Sequence, residues 1–185
     1  NSLTSGVENT AVGTSALESN TSGRENLAIG RKAMCLTTSG SCNTAVGTTA
    51  LTTNTTGAHN TATGYRSLYL NTTGDNNVGV GYNALTANTT GSGNTAIGKN
   101  ALQDNTTGAY NTGMGRDALG NSTTGGANTA IGTQALVGNT TGARNNAIGS
   151  GALDEADTEN DNLAIGYYAL GGAIAGGEKN VAIGN

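Results

Sequence analysis

The sequence has no phenylalanine, no tryptophan and no proline. It has two cysteines, two methionines and one histidine. Charged residues make up only 11% of the chain, with a net charge of −4. These shortages exclude a good deal. Without Phe or Trp, and with 31 glycines, the chain lacks the material of an ordinary globular core. No run of 18 apolar residues exists, so nothing here reads as a membrane-spanning helix. The eight Lys and Arg are scattered, which leaves no nucleic-acid footprint. A disordered chain would carry more charge and would lack a fixed register. His59 is the one histidine, in a loop with no nearby thiol nucleophile and no carboxylate in its own unit, so catalysis is hard to place.

What is present is a repeated sentence. An Asn-x-small-x-Gly string begins at Asn9, Asn26, Asn43, Asn60, Asn77, Asn94, Asn111, Asn128, Asn145, Asn162 and Asn180. Every step is 17 residues except the last, which is 18. Such a period signals a stacked repeat architecture. Residues 1–185 read as one repeat array of ten 17–18-residue units from Asn9, with partial units at both ends. The chain starts without Met and stops just after the eleventh anchor, which reads as a fragment of a longer fibrous protein.

Each unit is numbered here from its anchor Asn as position 1. Position 2 is mostly Thr, Leu or Val, position 3 is Ala or Gly, and position 5 is always Gly. Position 4 is apolar in every unit but one, as in Val12, Ile29, Ile97, Ile131 and Ile148; Thr63 is the exception. This short run bounded by Asn and Gly predicts a strand of about four residues. Positions 8 and 9 are Ala-Leu, as at Leu17, Leu51, Leu85 and Leu136, varied only by Ser67 and Met34. Asn-Thr-Thr-Gly follows as a turn signal. A helical unit is excluded by the Gly and Thr content and by the shortness of the repeat.

The predicted fold is therefore all-β: a parallel β-roll or β-solenoid with one 17-residue repeat per turn. Rungs about 4.8 Å apart would make ten turns a rod roughly 50 Å long. Like residues then stack in columns. The anchor Asn residues are expected to form an amide ladder, and the position-4 and position-9 columns a thin core. Each turn offers two large aliphatics worth roughly 1.5–3 kcal/mol each. Ordering each residue of the turn costs about 1–2 kcal/mol in backbone entropy. The margin is thin, so a homotrimer is expected, intertwined or side by side, with the apolar columns divided between core and chain interface.

The strings NTAIG at Asn94 and Asn128 and NVAIG at Asn180 resemble the head repeats of trimeric autotransporter adhesins. The longer NTAIG-xx-AL-xx-NTTG pattern is similar to repeat regions of phage tail fibres. The resemblance implies parallel β-rolls wound from three chains, attachment to a host or other surface, and an extracellular or virion-surface location. Adhesin head repeats are typically shorter than these 17-residue units.

Candidate sites are few. Cys35 and Cys42 flank one turn; they either close a disulfide, within or between chains, or stay free. The ninth unit replaces its turn with DEADTEND, in which Asp157, Glu159 and Asp161 alternate. That is either a solvated acidic loop or a Ca²⁺ site, the one metal this sequence suggests. Tyr65, Tyr82, Tyr167 and Tyr168 follow the position-5 glycine. They are either ordinary surface residues or a surface that stacks on a glycan receptor. Gly113-x-Gly115-x-x-Ala118 mimics a dinucleotide fingerprint, but the repeat explains the same positions. Asn20, Asn54, Asn71, Asn88, Asn105, Asn121 and Asn139 begin glycosylation sequons, or are plain turn residues. Function by this reading is a non-enzymatic fibre shaft or adhesive segment. Two alternatives are an ice- or crystal-binding face built on Thr pairs such as Thr55-Thr56 and Thr89-Thr90, and a polymerising extracellular filament.

Overall fold

The structure, a computed structural model, describes residues 6–172 and 176–185. Its strands are β1 (Thr10–Val12), β2 (Leu27–Ile29), β3 (Thr44–Val46), β4 (Thr61–Thr63), β5 (Val78–Val80), β6 (Thr95–Ile97), β7 (Thr112–Met114), β8 (Thr129–Ile131), β9 (Asn146–Ile148), β10 (Leu163–Ile165) and β11 (Val181–Ile183). They form one parallel sheet in sequence order, each strand pairing like with like: Ala11 with Ala28, Ala28 with Ala45. No helix occurs among the described residues. The fold is the expected β-solenoid, with one 17-residue repeat per turn. The strands are three residues long rather than four. The rest of each rung is not strand, yet it stacks too. Leu17 N–H donates to Ala33 C=O at 3.1 Å, and Leu85 N–H to Ala101 C=O at 3.0 Å.

Four residues per turn, at positions 5, 7, 9 and 17, take positive φ, and they shape the rung. The position-9 column, Leu17 to Leu170, holds φ at 49–52°. Such a conformation is unusual for a bulky residue. Here it turns the Leu side chain inward, where Leu51, Leu85 and Leu136 are fully buried and Leu17 nearly so. At position 5, φ is 129–143°, which only glycine adopts readily. A Cβ there would overlap the carbonyl oxygen of the next rung's glycine, as Gly13 would with Gly30.

The core is thinner than expected. It consists of the Ala columns at positions 3 and 8 and the Leu column at position 9. The position-4 column is not part of it. Ile29, Ile97, Ile131 and Ile148 are 38–40% exposed and Val12 is 57% exposed. Strand alternation sends position 3 inward and positions 2 and 4 outward. The opposite parity does not fit, because the Leu of the preceding rung packs directly on the strand. A Cβ at Gly113 would already lie 3.3 Å from Leu102 Cγ. Ala fills that space; Ile would not.

Two ladders of asparagine line the rungs. In the anchor column each Oδ1 accepts the backbone N–H of the next anchor, from Asn26 on Asn9 at 3.0 Å to Asn180 on Asn162 at 2.9 Å. From Asn9 to Asn145 each Nδ2 donates to the position-15 carbonyl of its own unit, as Asn94 to Gly108 at 2.8 Å. The anchor thus clips the end of its own turn to its beginning while holding the next rung, which is more than the expected amide-on-amide stack. Several anchors also donate amide to amide, as Asn43 to Asn26 at 3.2 Å and Asn180 to Asn162 at 3.0 Å, and a second amide ladder runs at position 12. There Asn71 donates to Asn54, Asn88 to Asn71 and Asn105 to Asn88, at 2.7–2.9 Å.

Candidate functional site

The position-12 ladder overturns one reading at once. Asn20, Asn54, Asn71, Asn88, Asn105 and Asn139 are fully buried, so six of the seven sequon asparagines face the interior. Only Asn121, one residue off the ladder, is exposed. The sequence signal was the Asn-Thr-Thr-Gly turn itself; an Asn side chain wrapped over its own turn reads identically to a solvated one. Of each Thr pair, the first hydroxyl donates to the next rung's carbonyl, as Thr55 to Thr72 and Thr89 to Thr106 at 3.0 Å. The second, as Thr56 and Thr90, is exposed. The pairs therefore present one outward column.

The two cysteines are free, which corrects the disulfide within the chain. They occupy positions 10 and 17, and the intervening turn wraps the rung instead of closing a hairpin. Each thiol instead meets a carboxylate one rung earlier in its own column. Cys35 Sγ lies 3.5 Å from Glu18 Oε2, and Cys42 Sγ 3.6 Å from Glu25 Oε2. Loss of solvation and the hydrogen bond to that carboxylate push both thiols above their ordinary pKa.

The acidic loop is not assembled for a metal. Asp157 Oδ1 accepts from the Thr140 hydroxyl. Asp161 forms a two-point ion pair with Arg144, at 2.6 and 2.9 Å. The Arg144 guanidinium holds the Asp161 carboxyl below its usual value. Glu159 turns inward and accepts the N–H groups of Asp157, Thr158 and Gly176 at 2.9–3.0 Å. The three carboxylates thus go to three different partners, and no cluster of three or more His, Cys, Asp or Glu able to hold a metal occurs among the described residues.

Glu159 stands where the other units have glycine. In those units a Cβ at position 15 would run into the next rung's carbonyl and, where present, the position-12 Asn, as Gly74 against the Gly91 carbonyl oxygen and against Asn71 Oδ1 at 2.5 Å. Here position 12 is Ala156, so the ladder stops with Asn139 Oδ1 unpartnered, and the Glu159 carboxylate accepts local N–H groups instead. Burial pushes the Glu159 carboxyl up, but the surrounding backbone N–H groups together outweigh it and hold it below its ordinary value.

What remains variable is concentrated. Positions 1, 3, 5, 8, 9 and 12–15 are close to constant along the chain, while 6, 7, 10 and 11 on one edge and 16 and 17 on another change from rung to rung. Positions 7 and 10 lie side by side: the Thr52 hydroxyl donates to the Lys32 carbonyl at 3.0 Å, and Thr86 to Arg66 likewise. Two grooves open on this variable edge. One, of about 250 Å³, spans three rungs and is lined by Asn100, Gln103, Asp104, Asp117, Asn121 and Gln134, among others. The other, of about 180 Å³, lies between Thr49, Tyr65, Arg66 and Tyr69. Tyr65 and Tyr82 stack on adjacent rungs, with ring centres 5.3 Å apart and planes at 19°. The Arg66 guanidinium sits 4.6 Å above the Tyr69 ring. Tyr167 and Tyr168 meet edge to face at 4.7 Å, farther along the same two columns.

The other expected sites do not gather. His59 is exposed at position 17. Gly113 lies in β7 and Ala118 in the core, where the repeat alone places them. No described helix is long and apolar enough to cross a membrane. No protein-family model, no curated protein and no solved structure matches this chain.

Proposed function

We propose that this chain is a structural and adhesive fibre segment, without enzymatic activity, that works as a homotrimer in a phage tail fibre shaft or surface adhesin, at a virion or cell surface. The observation that carries the reading is the outward apolar column at position 4. It runs the length of the rod as Val12, Ile29, Val46, Val80, Ile97, Met114, Ile131, Ile148, Ile165 and Ile183, broken only by Thr63. Water-exposed aliphatics in a continuous file mark an association surface. Burying the part still exposed is worth roughly 0.5–1 kcal/mol per residue. Closed rotational symmetry about an axis along the rod keeps every rung level with its copies. Ile then meets Ile at each height. The number three comes from the resemblance of NTAIG to the trimeric head repeats.

The test is sedimentation equilibrium of the 185-residue chain. A mass of three chains is expected, and Ile97→Asp with Ile131→Asp should break it. A well-folded monomer, insensitive to these substitutions, would refute the proposal.

A further inference from the structure

We propose that the variable edge of rungs four to eight binds a neutral oligosaccharide lying along the rod, stacked on Tyr65 and Tyr82 and hydrogen-bonded in the groove around Asn100 and Gln134. This rests on the attachment reading above and names the ligand class of that attachment.

The argument starts from what the groove contains. Its polar lining is planar amides and carboxylates: Asn100, Gln103, Asp104, Asp117, Asn121 and Gln134. They alternate donors with acceptors. Asn100 Nδ2 donates to Asp117 Oδ1 at 3.0 Å, and Gln103 Nε2 to Asp104 Oδ1 at 3.4 Å. A sugar hydroxyl is at once donor and acceptor, so neighbouring hydroxyls on one ring match a surface of this kind. An apolar ligand does not, because Val137 is the only large aliphatic in the lining.

The second element is the aromatic pair on the same edge. Tyr65 and Tyr82 are each about half exposed, at 45% and 50%, although they stack on one another. An exposed tyrosine combines an apolar ring with a polar tip. That suits the C–H face and hydroxyl rim of a pyranose. Tyr82 is at position 6 of the fifth rung and Asn100 at position 7 of the sixth, so platform and groove adjoin. Rungs spaced about 4.8 Å apart set the direction of a ligand that touches both: it runs parallel to the axis.

Charge selects among saccharides. The groove carries Asp104 and Asp117, and the chain has a net charge of −4. Arg116 is already paired with Asp117 at 2.8 Å. Arg66 and Lys99 stand beside the tyrosines, but the groove lining holds two carboxylates and no Lys or Arg, so an anionic ring is repelled there and a neutral one is not.

The experiment titrates the chain with gluco-, manno- and N-acetylglucosamine-configured hexasaccharides, with hexagalacturonate as the anionic probe, followed by calorimetry and Tyr fluorescence. At least one neutral hexasaccharide should bind saturably. Asn100→Ala and Tyr82→Ala should each weaken it about tenfold, with a cooperative melt retained, while His59→Ala should leave it intact. No binding at millimolar concentration, binding of hexagalacturonate alone, or equal binding by all variants would overturn the proposal. Sedimentation of the same samples separates the two readings. A trimer that binds no sugar sinks only the saccharide site; a monomer that binds sugar through Asn100 and Tyr82 sinks only the fibre assembly.

Discussion

Completing the broken amide ladder should stabilise the rod. At position 12 the run Asn54, Asn71, Asn88, Asn105 is interrupted by Ser122. Asn105 Oδ1 is left without a partner, and so is the Ser122 hydroxyl, both in the fully buried interior. Ser122→Asn supplies what the neighbouring rungs already have. Its Nδ2 would donate to Asn105 Oδ1 and to the Gly125 carbonyl, as Asn88 does to Asn71 at 2.7 Å and to Gly91 at 2.9 Å. An unsatisfied buried acceptor costs about 1–3 kcal/mol, and fixing the new side chain costs about 1 kcal/mol at most. The net gain is about 1–2 kcal/mol. For a chain of this length that raises the melting temperature by roughly 2–8 °C. Asn88→Ser, which breaks the ladder at an intact rung, should lower it by a similar amount. Differential scanning calorimetry reads both. If Ser122→Asn is neutral or destabilising while Asn88→Ser is harmless, amide continuity is not what holds this column.

The remaining predictions concern the anchor, a paired substitution, acid stability and the thiols. Asn94→Ala leaves the Asn111 N–H unpaired in the interior and leaves the Gly108 carbonyl to the Asn105 amide; a loss of about 1–3 kcal/mol in denaturant unfolding is expected. Gly79 makes room for Ser67, whose hydroxyl donates to the Gly79 carbonyl at 2.8 Å, and a Cβ at Gly79 would lie 2.5 Å from that oxygen. Gly79→Ala alone should therefore destabilise by about 1–3 kcal/mol, and Ser67→Ala with it should restore wild-type stability or better. Additive effects in the double-mutant cycle would contradict this steric coupling. The Glu159 carboxyl is held below its ordinary value of 4.5, so its contribution is present above pH 4.5 and is lost as pH falls through the depressed folded value. Melts between pH 6 and 2 should show an acid-sensitive arm that Glu159→Gln flattens. Alkylation without reductant should add two groups, first at the more accessible Cys42 and later at buried Cys35; a mass two hydrogens short would mean a bridge.

Much of the fold was legible in the residues. The spacing of Asn9 to Asn180 dictates the rung, and the Ala-Leu pair, varied only by Ser67 and Met34, names a buried file. The direction of the Ile file was not legible. Positions 4 and 9 are equally apolar, and alternation allows either parity. What decides it is the width left by Leu68 and Leu102 opposite the strand, a tertiary fact with no local signature. The position-12 ladder was hidden for a related reason: an asparagine that turns inward over its own loop is spelled the same as one that faces water. The acidic residues of the ninth unit misled in the opposite sense. Their alternation suggests ligands converging on an ion, but each is aimed along its own column at Thr140, Arg144 or the local backbone. Columns, not loops, set side-chain partners in this molecule. That is also why Cys35 and Cys42 meet Glu18 and Glu25 and not one another.

Like-on-like stacking can be read from scalar couplings transmitted through individual hydrogen bonds in ¹⁵N,¹³C-labelled protein. The account predicts couplings from the Leu85 amide to the Ala101 carbonyl and from the Gly98 amide to the Val80 carbonyl, separations of 16 and 18 residues, repeated at each rung. Couplings to carbonyls four residues away, or amides that exchange freely with solvent at these positions, would contradict it.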